Sequence, residues 1–239
     1  MNEFCSFARL AFEACPDGLN EMARRIVAVA DTSTPPSVRQ DWWCERVMTP
    51  ITSIQSSHET LRDLHFYVGQ YPYEGTRISP MRHLRFNVQS YFQEVYVLRQ
   101  RLIDLLNIAK KDFGSRDDGP TVAQTCDRLC RELKARIKTV IEKRGEHVHQ
   151  WGFETYSFTW LDAIELSLTA NIESLDPDAA QEFQAFFDEK YPAERQLWSD
   201  AIEEANGVIE NVIDDCAREL NPMFFDASGK LRFAIEIAA

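Results

Sequence analysis

Residues 84–106 read LRFNVQSYFQEVYVLRQRLIDLL, and this stretch decides the fold class of the chain. Its apolar side chains recur at steps of three and four residues, which is the period of one face of an α-helix. Such a face packs against other elements while the polar side chains stay in water. We therefore predict one long amphipathic helix over 81–112, whose buried stripe consists of positions 84, 88, 91, 95, 98, 102, 105 and 106.

The same period continues on both sides of that helix. A second strong helix is expected to begin near Val122 and to end at Gly145, because glycine often follows the last residue of a helix. Asp176 and Pro177 have the residue types of an N-cap and a first helical residue, and Pro192 is expected to open the last helix. The other predicted helices are 4–14, 19–30, 38–69 with an interruption near Thr49-Pro50, 158–174, 178–190 and 192–220.

Strand signals are scarce in this chain. Glycine occurs only nine times, and few segments alternate between apolar and polar residues. The fold class is therefore all-α, a bundle of long up-and-down helices in which Trp160 and Leu197 are expected to face inward. After Pro222 the pattern changes, and a turn over 226–229 has flanks that can pair as a small hairpin. The predicted organisation is a helical N-terminal extension over 1–75, the bundle with its C-terminal helices over 76–221 and a tail over 222–239.

The composition is that of an ordinary globular protein, with 239 residues of which 44% are hydrophobic and 27% charged. No run approaches the roughly 18 consecutive apolar residues of a membrane span, and the N-terminus lacks the pattern of a secretory signal. The six cysteines form no CxxC pair, and Cys126 and Cys130 lie four positions apart on a predicted helix, too far for an unstrained disulfide. We expect all six to be reduced and the protein to be cytoplasmic.

Charge is distributed unevenly along the chain. The net charge is −12, but residues 1–150 carry 21 basic and 19 acidic side chains, whereas residues 151–239 carry 5 and 19. Two segments are locally basic: 131–144 has six basic and two acidic side chains, and 77–101 has five arginines and one glutamate. Such segments are typical of solvated helix faces, and they are also compatible with a restricted phosphate site beside an acidic region.

Where the second long helix is expected to end, residues 143–150 read KRGEHVHQ. Arginine can hold a phosphate through a bidentate fork, and histidine exchanges a proton near neutral pH. Arg144 and His149 are therefore candidates for cleaving a phosphodiester, with His147 and Glu146 beside them. A metal shared by the two histidines would need an extended backbone, because residues two apart face away from each other on a helix. We expect neither a metal nor a cofactor.

The surroundings of this motif resemble a known family. Arg144-x4-His149, with Val148 before the histidine, follows two long helices that are expected to be antiparallel and precedes another amphipathic helix. The first of the long helices carries the aromatic-rich segment FNxxxYFxExYxLxxRL over 86–102. Together these features resemble the HEPN (higher eukaryotes and prokaryotes nucleotide-binding) superfamily over roughly residues 80–175. The chain departs from that pattern at Gly145, where the family usually has Asn, Asp or another polar residue.

The resemblance implies a metal-independent endoribonuclease of toxin or phage-defence type, which cuts RNA with help from the substrate's own 2′-hydroxyl. Arg144 would neutralise the charge that develops on the phosphorane oxygens. His149 would act as general acid or base, or orient the hydroxyl, and His147 and Glu146 would assist. The implied partners are RNA or a nucleotide, an antitoxin protein and a second copy of the chain, with no membrane involved.

Geometry adds a condition to this hypothesis. On a continuous ideal helix, residues five apart point about 140° away from each other, so Arg144 and His149 would need a break at Gly145 or a second copy of the motif. We predict a homodimer about a two-fold axis, formed near the 81–112 helix or the helix junction.

Two other interpretations stay open. The domain can be a HEPN-like binding or regulatory scaffold without catalysis, which Gly145 and the acidic C-terminal part favour because that surface would repel RNA. Alternatively, the chain is an unrelated bundle in which Arg144 stabilises a helix C-terminus, a favourable place for a cation.

Overall fold

A computed structural model describes residues 1–13, 44–70, 78–114, 119–148, 156–169, 176–229 and 232; over 141–148 it describes the backbone alone. This part of the chain is helical, and the prediction of an all-α fold is confirmed. No described helix is long and apolar enough to cross a membrane. The helices are α1 (Asn2–Glu13), a π-helix (Cys44–Met48) that continues into α2 (Thr49–Gly69), α3 (Pro80–Phe113), α4 (Gly119–Val148), α5 (Tyr156–Thr169) and α6 (Pro177–Phe224).

Helix α3 confirms the prediction over 81–112. It begins at Pro80, whose fixed φ and missing N–H suit the first helical position. It ends at Phe113, and the Gly114 amide donates to the Lys110 carbonyl at 2.9 Å. Every position of the predicted stripe is buried. The stripe therefore forms the centre of the helical packing, as its period indicates.

Other predicted boundaries lie close to the observed ones or outside the described residues. The interruption near Thr49-Pro50 is a change from π-helix to α-helix, where the Thr49 hydroxyl donates to the Cys44 carbonyl at 2.8 Å. Asp176 caps α6 as predicted, because its side-chain oxygen accepts from the Asp178 amide at 3.3 Å. The predicted helix over 19–30 lies outside the described residues, and so do the last residues of the one predicted over 158–174.

The prediction that Pro192 opens a separate last helix is wrong, because α6 runs unbroken from Pro177 to Phe224. A proline inside a helix costs about 3 kcal/mol, since it removes one hydrogen bond and crowds the preceding turn. Large side chains on both sides of Pro192 are buried, and each contributes roughly 1.5–3 kcal/mol. Burial therefore outweighs the cost of the proline; the buried set comprises Phe187, Tyr191, Trp198 and Ile202.

The described chain groups into two compact units, each assembled from several segments. Unit 1 consists of Met1–Ser57, Val97–Ile137 and Val208–Ala239, and unit 2 consists of His58–Tyr96 and Lys138–Gly207. Helices α2, α3, α4 and α6 each contribute residues to both units.

Unit 1 has an aromatic core. The ring of Phe224 lies 5.6 Å from that of Phe7 and 5.0 Å from that of Phe113, both in edge-to-face arrangements. Polar contacts complete the packing: the Phe4 amide donates to Asp214 Oδ1 at 3.1 Å, and Lys110 pairs with Asp127 at 2.7 Å. This ion pair joins the last turn of α3 to the first turns of α4.

Unit 2 packs around Trp198 of α6. The Phe92 and Phe158 rings lie 6.1 Å and 5.8 Å from the Trp198 ring. The hydroxyl of Tyr91, which is fully buried, donates to Asn206 Oδ1 at 2.8 Å. Helix α5 is joined to α3 by Glu165, whose Oε1 accepts from the Met81 amide at 3.2 Å.

The tail begins with the predicted turn. The Gly229 amide donates to the Asp226 carbonyl at 2.9 Å, and Gly229 has a φ of 78°, which glycine adopts without strain. The flank before the turn is helical up to Phe224, and Phe225, which directly precedes the turn, forms a single β-bridge. On the other side, the Arg232 amide donates to the Phe224 carbonyl at 2.7 Å, and 233–239 lie outside the described residues.

Candidate functional site

Three of the four predicted catalytic residues, Arg144, Glu146 and His147, lie at the end of α4, and this helix does not stop at Gly145 as expected. Its backbone is helical through Val148, so Gly145 lies inside the helix. A glycine in a helix interior costs only about 1 kcal/mol relative to alanine. The buried stripe that holds α4 in place outweighs this penalty; it comprises Val122, Cys126, Leu129, Leu133, Ile137 and Val140.

The continuous backbone changes which candidates are neighbours. Arg144, Glu146 and His147 lie in the last turns of α4, whereas His149 lies outside the described residues, as do the side chains of all four. Residues three apart share one face of a helix, so positions 144 and 147 are adjacent on α4. The structure brings Arg144 and His147 to one helix face and leaves the partnership of Arg144 with His149 a prediction.

The basic segment of α4 that precedes Arg144 is exposed. Arg131, Lys134, Arg136 and Lys138 all face solvent. Arg136 forms an ion pair with Asp215, and the hydrogen bonds from Arg136 and Arg218 hold the pKa of the Asp215 carboxyl below its usual value. Within the described part of the chain, neither Arg131 nor Lys134 has a carboxylate within ion-pair distance.

In the other basic segment, 77–101, two of the arginines, Arg85 and Arg101, have structural roles. Arg85 forms an ion pair with Asp162 and lies over the Phe158 ring, 6.0 Å from its centroid. Arg101 donates to the Ser57 hydroxyl at 2.6 Å, and Ser57 is fully buried. These two arginines are therefore committed to helix packing, while Arg77 lies outside the described residues.

Unit 2 also contains a groove that the sequence did not predict, with a volume of about 600 Å³. Trp160 was expected to face inward and is 53% exposed, and Leu197 was expected to face inward and is 61% exposed. The core positions of α6 are instead 187, 191, 198 and 202, on an adjacent face of the helix. The principal lining residues are Trp160 and Leu161 of α5 and Phe186, Lys190, Glu194 and Leu197 of α6.

Glu194 gives this apolar groove an acidic group. Its side chain is buried, and its Oε1 accepts a hydrogen bond from the Trp198 indole N–H at 2.8 Å. No basic side chain among the described residues forms an ion pair with it. The neighbouring Lys190 also lines the groove but pairs with another carboxylate: its Nζ lies 2.7 Å from Glu189 Oε1 and 5.9 Å from the centroid of Phe186.

The described thiols are free and mostly buried. Burial raises the pKa of Cys126 to about 11 and that of Cys216 to about 12, so neither is a ready nucleophile at neutral pH. Of the six cysteines, Cys15 lies outside the described residues. No group of three or more His, Cys, Asp or Glu side chains suited to a metal ion occurs in the ranges that the structure covers.

No family model matches the chain, and no curated protein or solved structure matches it either.

Proposed function

We propose that the chain is a metal-independent endoribonuclease of HEPN toxin or defence type, in which Arg144 and His149 cut RNA. One observation supports it most. The Arg-x4-His motif begins in the last turns of a 30-residue helix, and the preceding turns of that helix carry exposed arginine and lysine side chains. Arg131 and Lys134 have no carboxylate partner among the described residues, which leaves them available for a phosphate backbone.

The reaction needs only groups that RNA and this motif supply. The 2′-oxygen attacks the adjacent phosphorus, the bond to the 5′-oxygen breaks, and the products are a 2′,3′-cyclic phosphate and a 5′-hydroxyl. One proton leaves the 2′-hydroxyl and one is given to the departing 5′-oxygen. His149 is assigned one of these two proton transfers, as general base or as general acid. Arg144 neutralises the phosphorane oxygens, where a fixed guanidinium acts on the transition state.

The course of α4 gives His147 a defined place in this proposal. Positions 144 and 147 share a helix face, so His147 is suited to hold or orient the phosphate beside Arg144. His149 lies outside the described residues, and the proposal requires its imidazole to reach the same phosphate as Arg144. Glu146 assists by keeping the imidazole of a neighbouring histidine oriented.

A second copy of the chain would complete the cleft. A dimer about a two-fold axis brings two copies of the motif together, which removes the need for one helix to orient both residues. Helix α3 has an apolar residue suited to such an interface, because Phe86 is 67% exposed. Replacing it, as Phe86→Asp, is expected to convert dimer to monomer in sedimentation velocity; an unchanged dimer would place the interface elsewhere.

The experiment is RNA cleavage by the purified full chain in excess EDTA, with the ends of the products identified. We expect cyclic-phosphate ends from the wild type and a loss of about 100-fold or more in rate for both Arg144→Ala and His149→Ala. His147→Ala should lose less, by about tenfold, since it acts through position and not through proton transfer. Circular dichroism must show equal helix content. Equal cleavage by wild type and both principal variants would reject the proposal.

A binding or regulatory scaffold of HEPN type is the second candidate function. It is favoured by Gly145, which provides no polar side chain next to Arg144, and by the exposed apolar groove of unit 2. This alternative predicts no RNA cleavage under any ionic condition together with retained dimerisation. The cleavage assay therefore separates the two candidates directly.

A further inference from the structure

We propose that the groove between α5 and α6 in unit 2 is a docking site for a basic amphipathic helix of a partner protein. Three features support this inference: an exposed apolar lining at helical spacing, a buried carboxylate inside it, and an acidic rim. The proposal does not depend on ribonuclease activity.

The lining has the form that receives a helix. Phe186, Lys190 and Leu197 lie at positions i, i+4 and i+11 of α6, so they line one side of the groove over about 16 Å. Trp160 of α5 lies across from them and is more than half exposed. Helix-in-groove recognition uses a few apolar anchors spaced by three or four residues, inserted between aromatic and aliphatic side chains. The exposed tryptophan is also of the residue type that dominates binding energy when it is covered.

The charge of the groove selects a basic partner. Glu194 is only 9% exposed, and its Oε1 is occupied by the Trp198 indole, which leaves Oε2 for a cation. A lysine or arginine from a partner would pair with this carboxylate, and a charge-assisted hydrogen bond of that kind is stronger than one between neutral groups. The rim adds to this preference, because exposed carboxylates lie on the adjoining face of α6, at Glu182, Glu189 and Asp200.

The same charge argues against a second copy of this chain as the occupant. Residues 177–207 carry eight acidic and two basic side chains, and one of the basic ones, Lys190, already pairs with Glu189. A two-fold contact through this face would set acidic rim against acidic rim, and like charges repel. RNA is disfavoured for the same reason.

The test uses a labelled 18-residue peptide with leucines on one helix face and lysines on the other, and fluorescence anisotropy with the full chain. A matched peptide has glutamate at every lysine position. We expect the lysine peptide to bind, its affinity to fall as salt rises, and the glutamate peptide not to bind. Equal affinities of the two peptides, or no binding of the lysine peptide at about 100 μM, would overturn the proposal.

Variants locate the binding. Leu197→Asn should weaken it at least about tenfold, whereas Leu166→Asn, an equally exposed leucine outside the groove lining, should leave it unchanged. Glu194→Gln keeps an oxygen for the Trp198 indole and removes the charge, so it should weaken binding by about tenfold and reduce its dependence on salt. If Leu166→Asn and Leu197→Asn weaken binding equally, the groove is not the site. If the chain self-associates and Leu197→Asn abolishes this, the occupant is a second copy.

Discussion

The two units differ in what they leave exposed. All nine large apolar side chains that are exposed in the described part of the chain belong to unit 2, and they include Phe66, Phe86, Trp160 and Leu197. In unit 1, by contrast, no described large apolar side chain is exposed; its aromatic rings, such as that of Phe224, are buried. A contiguous exposed apolar patch marks an interaction site, and Trp160, Phe186 and Leu197 line one groove. Unit 2, which also contains the Arg-x4-His motif, is therefore where we expect function.

The largest expected effect tests whether the buried aromatic core of unit 1 contributes more to the free energy of unfolding than the exposed apolar side chains of unit 2. Phe224→Ala removes a fully buried ring that contacts Phe7 and Phe113, and it should lower the free energy of unfolding by about 3–5 kcal/mol. Phe66→Ala in unit 2 removes a ring that is 60% exposed and should change it by no more than about 0.5 kcal/mol. Urea denaturation of both variants measures the difference. Similar losses in the two would contradict the contrast between the units.

A smaller effect tests whether unit 2 has a specific core despite its exposed residues. Tyr91→Phe keeps the buried ring and removes the hydroxyl that donates to Asn206, so it should cost about 1 kcal/mol. Burial raises the pKa of Tyr91 above its usual range, so the phenol should stay protonated up to alkaline pH. Titration of tyrosine absorbance in wild type and variant checks this. If one titration step near pH 10 is present in the wild type and absent in Tyr91→Phe, the phenol of Tyr91 is accessible to solvent and the core is open.

Two glycines, one in each unit, are expected to respond to alanine with opposite signs. Gly145 is inside α4, so Gly145→Ala should stabilise the protein by about 0.5–1 kcal/mol. Gly229 has a φ of 78°, so Gly229→Ala should destabilise it by about 1–2 kcal/mol, although its Cβ would have room beside Leu10. Thermal unfolding of the two variants shows whether each substitution stabilises or destabilises the protein. Destabilisation by Gly145→Ala would restore the helix end that the sequence predicts there.

The smallest expected effect concerns the surface ion pairs of unit 1. Arg136 and Arg218 lower the pKa of Asp215, so their stabilisation is fully present above the ordinary carboxyl pKa and is lost as the pH falls through the lowered value. Because the pair is about 40% exposed, solvent screening limits it to about 0.5 kcal/mol. Asp215→Asn should therefore be slightly less stable than wild type at pH 7 and equal to it near pH 2. A difference that persists at pH 2 would point to packing as the cause.

Much of the fold follows from the sequence because burial repeats at the helical period. The α3 stripe is the plainest case, since every predicted position is buried. The errors at Gly145 and Pro192 have one cause: each residue imposes a local penalty of about 1–3 kcal/mol, which the burial of neighbouring stripes outweighs. A glycine or proline in the sequence does not show whether burial will outweigh its local penalty, because the packing partners come from distant segments.

The candidate sites were predictable to different degrees. The motif around Arg144 is visible in the sequence because arginine and histidine have distinctive chemistry, yet the position of His149 relative to it depends on where α4 ends. The groove was missed because Trp160 and Leu197 fit the helical period of a core stripe. A signal existed: α6 has two adjacent apolar lines, 187–191–198–202 and 186–193–197, which is more than one core face requires.

The most direct test compares two arginines of α4 that belong to different units. Arg144 in unit 2 is proposed to stabilise the transition state. Arg131 in unit 1 is an exposed, positively charged side chain that would at most help to hold RNA. In single-turnover cleavage of RNA in excess EDTA, Arg144→Ala should reduce the rate at saturating protein about 100-fold or more. Arg131→Ala should leave that rate unchanged and weaken RNA binding a few-fold. If both variants cleave as fast as wild type, or lose the rate equally, Arg144 has no catalytic role and the account is contradicted.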